Sequence, residues 1–132
     1  MESPATRRKT MQAIKSQDTR PEMRVRRLLH QQGYRYRLHD AALPGRPDLV
    51  FAGRKKVIFV HGCFWHGHDC VRGCRVPKTN TDYWTTKVSR NQTRDQASIK
   101  KLCEAGFSAL VLWECELSDG PRLLKRLRRF LS

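Results

Sequence analysis

His61, Cys63, His66, His68 and Cys70 fall within a ten-residue span, interleaved with Phe64, Trp65 and Asp69. Thiolates and imidazoles are the ligands Zn²⁺ prefers, and Cys63, His68 and Cys70 have the close spacing of a structural zinc site. Such a site needs a fourth ligand from elsewhere. The remaining thiols are Cys74, Cys103 and Cys115. Cys103 adjoins Leu102 on a helical stretch and is expected to be a small buried side chain. Cys115 follows an apolar run that can return to the loop, and Cys74 is close in sequence, so both stay open. His61 and His66 are left for proton transfer, as general base towards water or as donor to a leaving oxygen. The plainer alternative for each is a further ligand or a packing ring.

Asp48 follows Pro47 at the head of an apolar run. Metal-dependent nucleases place a carboxylate there, where a sheet holds it rigidly beside Mg²⁺ and the scissile phosphate. Their common pattern continues on the next strand with an acidic residue, one spacer and Lys. Here that stretch reads Phe59-Val60-His61, without the second carboxylate or the Lys. By local pattern alone, Glu22 is a capping-box residue and Asp95 a solvated helix charge. Phe64, Trp65 and Trp84 offer flat faces that stack on bases or wedge between them, with core filling as the alternative for Phe64 and Trp84.

The chain of 132 residues carries 27 Lys+Arg against 12 Asp+Glu, a net charge of +15. That field favours polyanions, nucleic acid before acidic membranes, and its basic residues run from Arg7 to Arg129 rather than crowding into one tail. A packaging or ribosome-associated protein would need the charge but not the cysteine-histidine loop. No secretory or membrane-spanning run is visible, so a cytoplasmic location with reduced thiols is expected. Five cysteines, an odd number, also argue against a closed disulfide framework.

The elements that must position these groups can be read in turn. Residues 1–18 form a polar, basic arm, helical from about Arg8 to Ser16, and 19–132 form a single domain. Thr19-Arg20-Pro21-Glu22 starts a helix that Gly33 ends. Tyr34 to Leu38 alternates as a half-exposed strand, and Asp48–Ala52 with Lys56–Val60 makes a hairpin about Gly53-Arg54-Lys55. Residues 81–105 read as one long or two short helices closed by Gly106. Phe107 to Trp113 reads as a buried strand, and a basic helix follows from about Pro121. Helix, three strands, helix, strand, helix predicts an α/β fold, a mixed sheet covered by helices.

Together these residues resemble the very short patch repair endonucleases, which nick DNA at T:G mismatches. The resemblance runs through Thr6-Arg7-Arg8-Lys9-Thr10-Met11, Leu43-Pro44-Gly45-Arg46-Pro47-Asp48 and His61-Gly62-Cys63-Phe64-Trp65-His66. It continues through Val76-Pro77, Thr79 and Trp84 to Val111-Leu112-Trp113-Glu114-Cys115. It implies a restriction-endonuclease-like core in which Asp48 and the backbone carbonyl of Val60 bind two catalytic Mg²⁺ ions. It implies His66 as general base, assisted by His61, Glu22 and Asp95. Cys63, His68, Cys70 and Cys115 would hold one structural Zn²⁺. Phe64, Trp65 and Trp84 would enter the base stack from the major groove, and Met11 would approach from the minor groove. Val60 stands where some relatives carry Thr, a change that leaves a main-chain ligand intact. Cys74 falls where no cysteine is expected.

The expected activity is Mg²⁺-dependent, Zn²⁺-stabilised nicking of duplex DNA 5′ to the mismatched T by a monomer in the bacterial cytoplasm. The products would be a 5′-phosphate and a 3′-hydroxyl. A wobble pair yields differently from a matched one, so inserting rings beside it should cost less than the few kcal/mol of ordinary unstacking. The alternative is a non-catalytic zinc-stabilised module that binds mismatched or distorted DNA.

Overall fold

A computed structural model describes residues 19–63, 66, 68 and 80–132. The arm with Met11, and Phe64, Trp65, Cys70 and Cys74 in the loop, lie outside the described residues. Helix α1 spans Arg20–Gln31. Its first turn forms as the sequence predicts: the Thr19 hydroxyl accepts from the Glu22 N–H at 3.3 Å, and Pro21 occupies a position whose N–H needs no partner. Such a cap contributes about 1 kcal/mol. The Glu22 side chain does not complete a capping box; it turns inward and is fully buried.

Strands β1 (Arg37–Leu38), β2 (Leu49–Phe51), β3 (Lys56–His61) and β4 (Ser108–Trp113) form one sheet in the order β1-β2-β3-β4. The first two pairings are antiparallel and the third is parallel, so the sheet is mixed. Strand β1 is shorter than the alternation from Tyr34 suggested. Tyr34 and Tyr36 instead set their rings edge-on to Phe51, at centroid distances of 6.4 and 6.0 Å. Lys55 makes the hairpin turn at φ +53, just after a short 3₁₀ turn over Ala52–Arg54.

The side-chain period of 2 divides the core between the two faces. Leu49, Phe51, Ile58, Val60 and Leu112 meet Val25 and Leu29 of α1 and Leu123, Leu127 and Leu131 of helix α3 (Gly120–Leu131). Val50, Val57, Phe59, Ala109 and Val111 meet Leu102 and Ile99 of helix α2, which spans Thr81–Glu104 without a break. Strand β4 lies at the edge of the sheet among the described residues, and of its six side chains only Leu112 is fully buried. Cys103 is exposed, contrary to the buried thiol expected, because the apolar face of α2 passes through its neighbour Leu102. No helix among the described residues is long and apolar enough to cross a membrane.

The loop ahead of Asp48 is pinned against α2. Gly45 has φ +77, and a Cβ there would lie 2.7 Å from the Cβ of Ser98 and 2.9 Å from its hydroxyl. Gly45→Ala therefore meets both a disfavoured backbone and a wall, and should cost roughly 1–3 kcal/mol. A thermal melt lowered by several degrees is the expected result, and an unchanged melt would show that the loop is not held this way.

Candidate active site

The chemistry-bearing residues gather at the carboxyl ends of β3 and β4, in three clusters. The first begins with a gap in the sheet. Strand β2 starts at Leu49, opposite Ile58, so the N–H of Val60 lies beyond the ladder. The Asp48 side chain fills the gap: its Oδ2 accepts from Val60 N at 2.7 Å. Glu22 reaches the same place from α1, and His39 from the end of β1. The Nε2 of His39 lies 3.0 and 2.9 Å from the two Glu22 carboxylate oxygens and 4.0 Å from Asp48 Oδ1. Arg26 approaches Glu22 at 3.3 Å. Burial, with the Glu22 carboxylate beside it, pushes the Asp48 carboxyl up from 3.8 to about 8, against the opposing Val60 N–H. Two buried carboxylates so close, one of them held far above its ordinary range, form an acidic pocket beside the Arg26 guanidinium. That donor set fits a hard divalent cation.

The second cluster follows directly along the chain. His61, the last residue of β3, stacks on His66 with ring centroids 3.8 Å apart and planes 3° from parallel. His66 Nδ1 meets the Asp95 carboxylate of α2 at 2.5 Å. A carboxylate only accepts, so Nδ1 carries the proton and Nε2 is left as the basic nitrogen. Asp95 is half-buried and fixed on this ring; the solvated charge expected from its local sequence is not what forms. His61 is 5% exposed, and its Nδ1 is buried without a hydrogen-bond partner among the described residues. Burial, reinforced by His66, lowers its pKa from 6.5 to about 4, with Asp95 opposing. It is therefore neutral at pH 7.

A pH dependence of stability follows from His61. Its folded pKa lies below the ordinary value, so the unfolded chain takes up the proton first as pH falls. The stabilisation is whole above pH 6.5 and is lost as pH drops through 4, at most roughly 3 kcal/mol. Urea unfolding at pH 7.5 and pH 5 should show the loss in the parent protein and a flatter response in His61→Leu. Equal slopes in the two proteins would sink this assignment.

The third cluster ties the loop to β4. Cys63 is fully buried, and its sulfur accepts from the Cys115 N–H at 3.4 Å. Cys115 Sγ lies 3.5 Å from His68 Nδ1. One ligand atom from each of the three residues lies within 4.8 Å of the others. This set of two thiols and an imidazole fits Zn²⁺ with one further ligand still to come. Among the described residues, Cys115 is the thiol brought to Cys63 and His68; Cys74 lies outside them.

The second and third clusters share a wall in Trp113, which pairs in register with His61 across the parallel strands. Its ring stacks on His68 at 4.2 Å and meets the edges of His61 and His66 at 5.2 and 6.3 Å. Glu22 stands with Asp48 and His39, whereas His66 stands with His61 and Asp95. Consecutive residues Val60 and His61 join the two groups. Trp84 is half-buried near the start of α2, edge-on to the exposed Tyr83 at 5.0 Å. Further along that helix, Lys87, Arg90 and Arg94 line an open groove with Asp82 and Tyr83.

Sequence reasoning passed over His39 and the position of Trp113. A single histidine after a two-residue strand gives no spacing signal. A tryptophan closing an apolar run reads as core until the parallel pairing sets it beside His61.

Residues 1–72 match the family model described as DNA mismatch endonuclease Vsr. The type II nicking enzyme V.XorIIP of Xanthomonas oryzae pv. oryzae is 52% identical over 130 residues, covering 98% of this chain and 95% of its own length. DNA mismatch endonuclease Vsr of Escherichia coli strain K12 is 46% identical over 119 residues, covering 90% and 76%. The type II nicking enzyme V.NmeAIP of Neisseria meningitidis is 44% identical over 121 residues, covering 92% and 86%.

Proposed function

Because the chain belongs to the family of DNA mismatch endonucleases named Vsr, we propose that it nicks duplex DNA 5′ to the T of a T:G mismatch, leaving a 5′-phosphate and a 3′-hydroxyl. Strand-specific endonuclease activity on mismatched DNA belongs to the family itself. A non-catalytic zinc-stabilised module is therefore set aside. The choice of mismatch, the side of the cut and the roles below are this reading's own. So are a restriction-endonuclease-like core, a DNA-binding arm over residues 1–18, a monomeric state and a bacterial cytoplasmic setting.

What supports the reading most is that a buried carboxylate pair and an oriented histidine are joined through the consecutive residues Val60 and His61 at one strand end. Asp48, with the Val60 carbonyl, would hold Mg²⁺, two ions in the full site. When bound, the cation supplies Lewis acidity and activates water. His66 Nε2 would take the proton from the attacking water, with Asp95 fixing the tautomer at Nδ1. His61, neutral and stacked, would keep the His66 ring in plane without adding a repelling charge. Glu22 would hold the charge balance of the Asp48 pocket. Cys63, His68, Cys70 and Cys115 would carry Zn²⁺, clamping the loop to the end of β4.

On the DNA side, Phe64, Trp65 and Trp84 would stack into the duplex beside the mismatch and Met11 would meet it from the other groove. Neutralisation of phosphates by Lys and Arg would offset the unstacking. Strand-labelled duplexes carrying T:G, each other mismatch, and no mismatch test the reading directly. Mg²⁺-dependent cutting confined to the T strand of T:G is the expected result. Equal cutting of matched duplex would end the T:G assignment.

A further inference from the structure

The Glu22–His39–Asp48 cluster contains one group that the reaction above leaves unused, the imidazole of His39. We infer that His39 and Glu22 join Asp48 and the Val60 carbonyl as protein ligands of the divalent-cation site, His39 as a nitrogen donor that shifts the site's preference from Mg²⁺ towards Mn²⁺. The inference rests on the reading of Asp48 as a cation ligand and adds to it the ligand set and the metal selectivity.

Spacing supports it first. Neighbouring ligands of an octahedral ion with bonds of about 2.1 Å lie about 3 Å apart. His39 Nε2 stands 2.9 and 3.0 Å from the Glu22 oxygens, and Asp48 Oδ1 is 4.0 Å away. One ligand atom from each residue therefore lies within reach of a common centre. Access supports it too: the side chains of His39 and Asp48 are 14% and 11% exposed, whereas Glu22 is 1% exposed and forms the floor.

The backbone is the independent observation. His39 has φ +46, in the left-handed region that a residue with a Cβ seldom occupies. Its own N–H meets the Asp48 carbonyl at 3.3 Å, which extends the β1–β2 pairing by one step. The strained residue thus sits directly across from Asp48, and its ring turns in towards Glu22. Strain of this kind persists where the surroundings fix it, and it concentrates at functional sites.

Donor chemistry gives the selectivity. Carboxylate and water sets suit Mg²⁺ and Mn²⁺ alike, whereas each imidazole added favours the transition ion, because Mg²⁺ holds its oxygen shell and gains little from nitrogen. Replacing the nitrogen should therefore cost Mn²⁺ more than Mg²⁺.

The test uses the full chain with its thiol site loaded with Zn²⁺, and Mn²⁺ as probe. Electron spin-echo spectra of the Mn²⁺ form should show modulation from a directly bound ¹⁴N nucleus. That modulation should vanish in His39→Gln and persist in His66→Gln. By competition, His39→Gln should weaken Mn²⁺ binding about tenfold and Mg²⁺ binding less than about threefold. A wild-type spectrum without nitrogen modulation overturns the inference, and needs no variant to fold. Modulation that survives in His39→Gln, while Asp48→Asn no longer binds Mn²⁺, overturns the role of His39 alone. Unchanged Mn²⁺ binding by Asp48→Asn overturns the Asp48 site and this inference together.

Discussion

Asp48→Asn should abolish nicking, by at least about a thousandfold, and at the same time make the metal-free protein more stable at pH 8. Both effects come from the same burial. The asparagine carbonyl keeps an acceptor for the Val60 N–H, so the strand end stays closed. What it removes is a charge that its surroundings oppose. The folded pKa of Asp48, about 8, lies above the ordinary 3.8, so the metal-free fold holds a proton that the unfolded chain releases. The stability contributed by this site is whole below pH 4 and is lost as pH rises through 8. Asn does not titrate, so its advantage should grow over that window and reach several degrees of melting temperature by pH 8. Affinity for mismatched duplex should be unchanged. Calorimetry across pH in chelator, beside single-turnover cutting in Mg²⁺, checks the pair. A variant that cuts within tenfold of the parent would remove Asp48 from the reaction, and one that melts lower at pH 8 would refute the electrostatic account.

Loss of zinc should have the second large effect. Apparent zinc-binding free energies at structural sites reach about 10 kcal/mol or more and add directly to folding. Here the proposed ligands would span a buried thiol on the loop and an exposed one beyond β4. Purified protein should contain one zinc per chain, and Cys115→Ser should lose it and melt at least about 10 °C lower. The stacking of His68 on Trp113 should loosen with it, so tryptophan fluorescence should change on chelation. Protein without zinc would remove the site altogether, whereas Cys115→Ser with full zinc content and an unchanged melt would return the fourth position to Cys74. Cys74→Ser then becomes the decisive comparison.

Much of the scaffold was legible because local rules governed it. Thr19 and Pro21 marked a helix start, the apolar runs about Gly53-Arg54-Lys55 marked a hairpin, and Gly106, at φ +89, closed α2. The thiol and imidazole spacing of Cys63 and His68 was likewise a local signal. What local rules hid were side chains with two possible uses. Glu22 satisfies the capping-box pattern while its carboxylate turns into the interior, and Asp95 has the look of any helix charge until His66 meets it. The resemblance supplied roles for both; composition and spacing did not. His39 had no signal at all, since its importance lies in a left-handed backbone and a cross-strand neighbour, neither of which a lone histidine announces.

The parallel pairing of β3 with β4 also has a kinetic consequence. Cys63 and Cys115 are 52 positions apart, and His61 and Trp113 meet only through the same non-local registration. Contacts so distant along the chain form slowly, after the helix between them has brought the partners round. The contact between Cys63 and Cys115 should therefore form late, and a metal captured there would act as a latch on a nearly finished fold rather than as its nucleus. Refolding should keep its early rate without zinc and lose only its final phase.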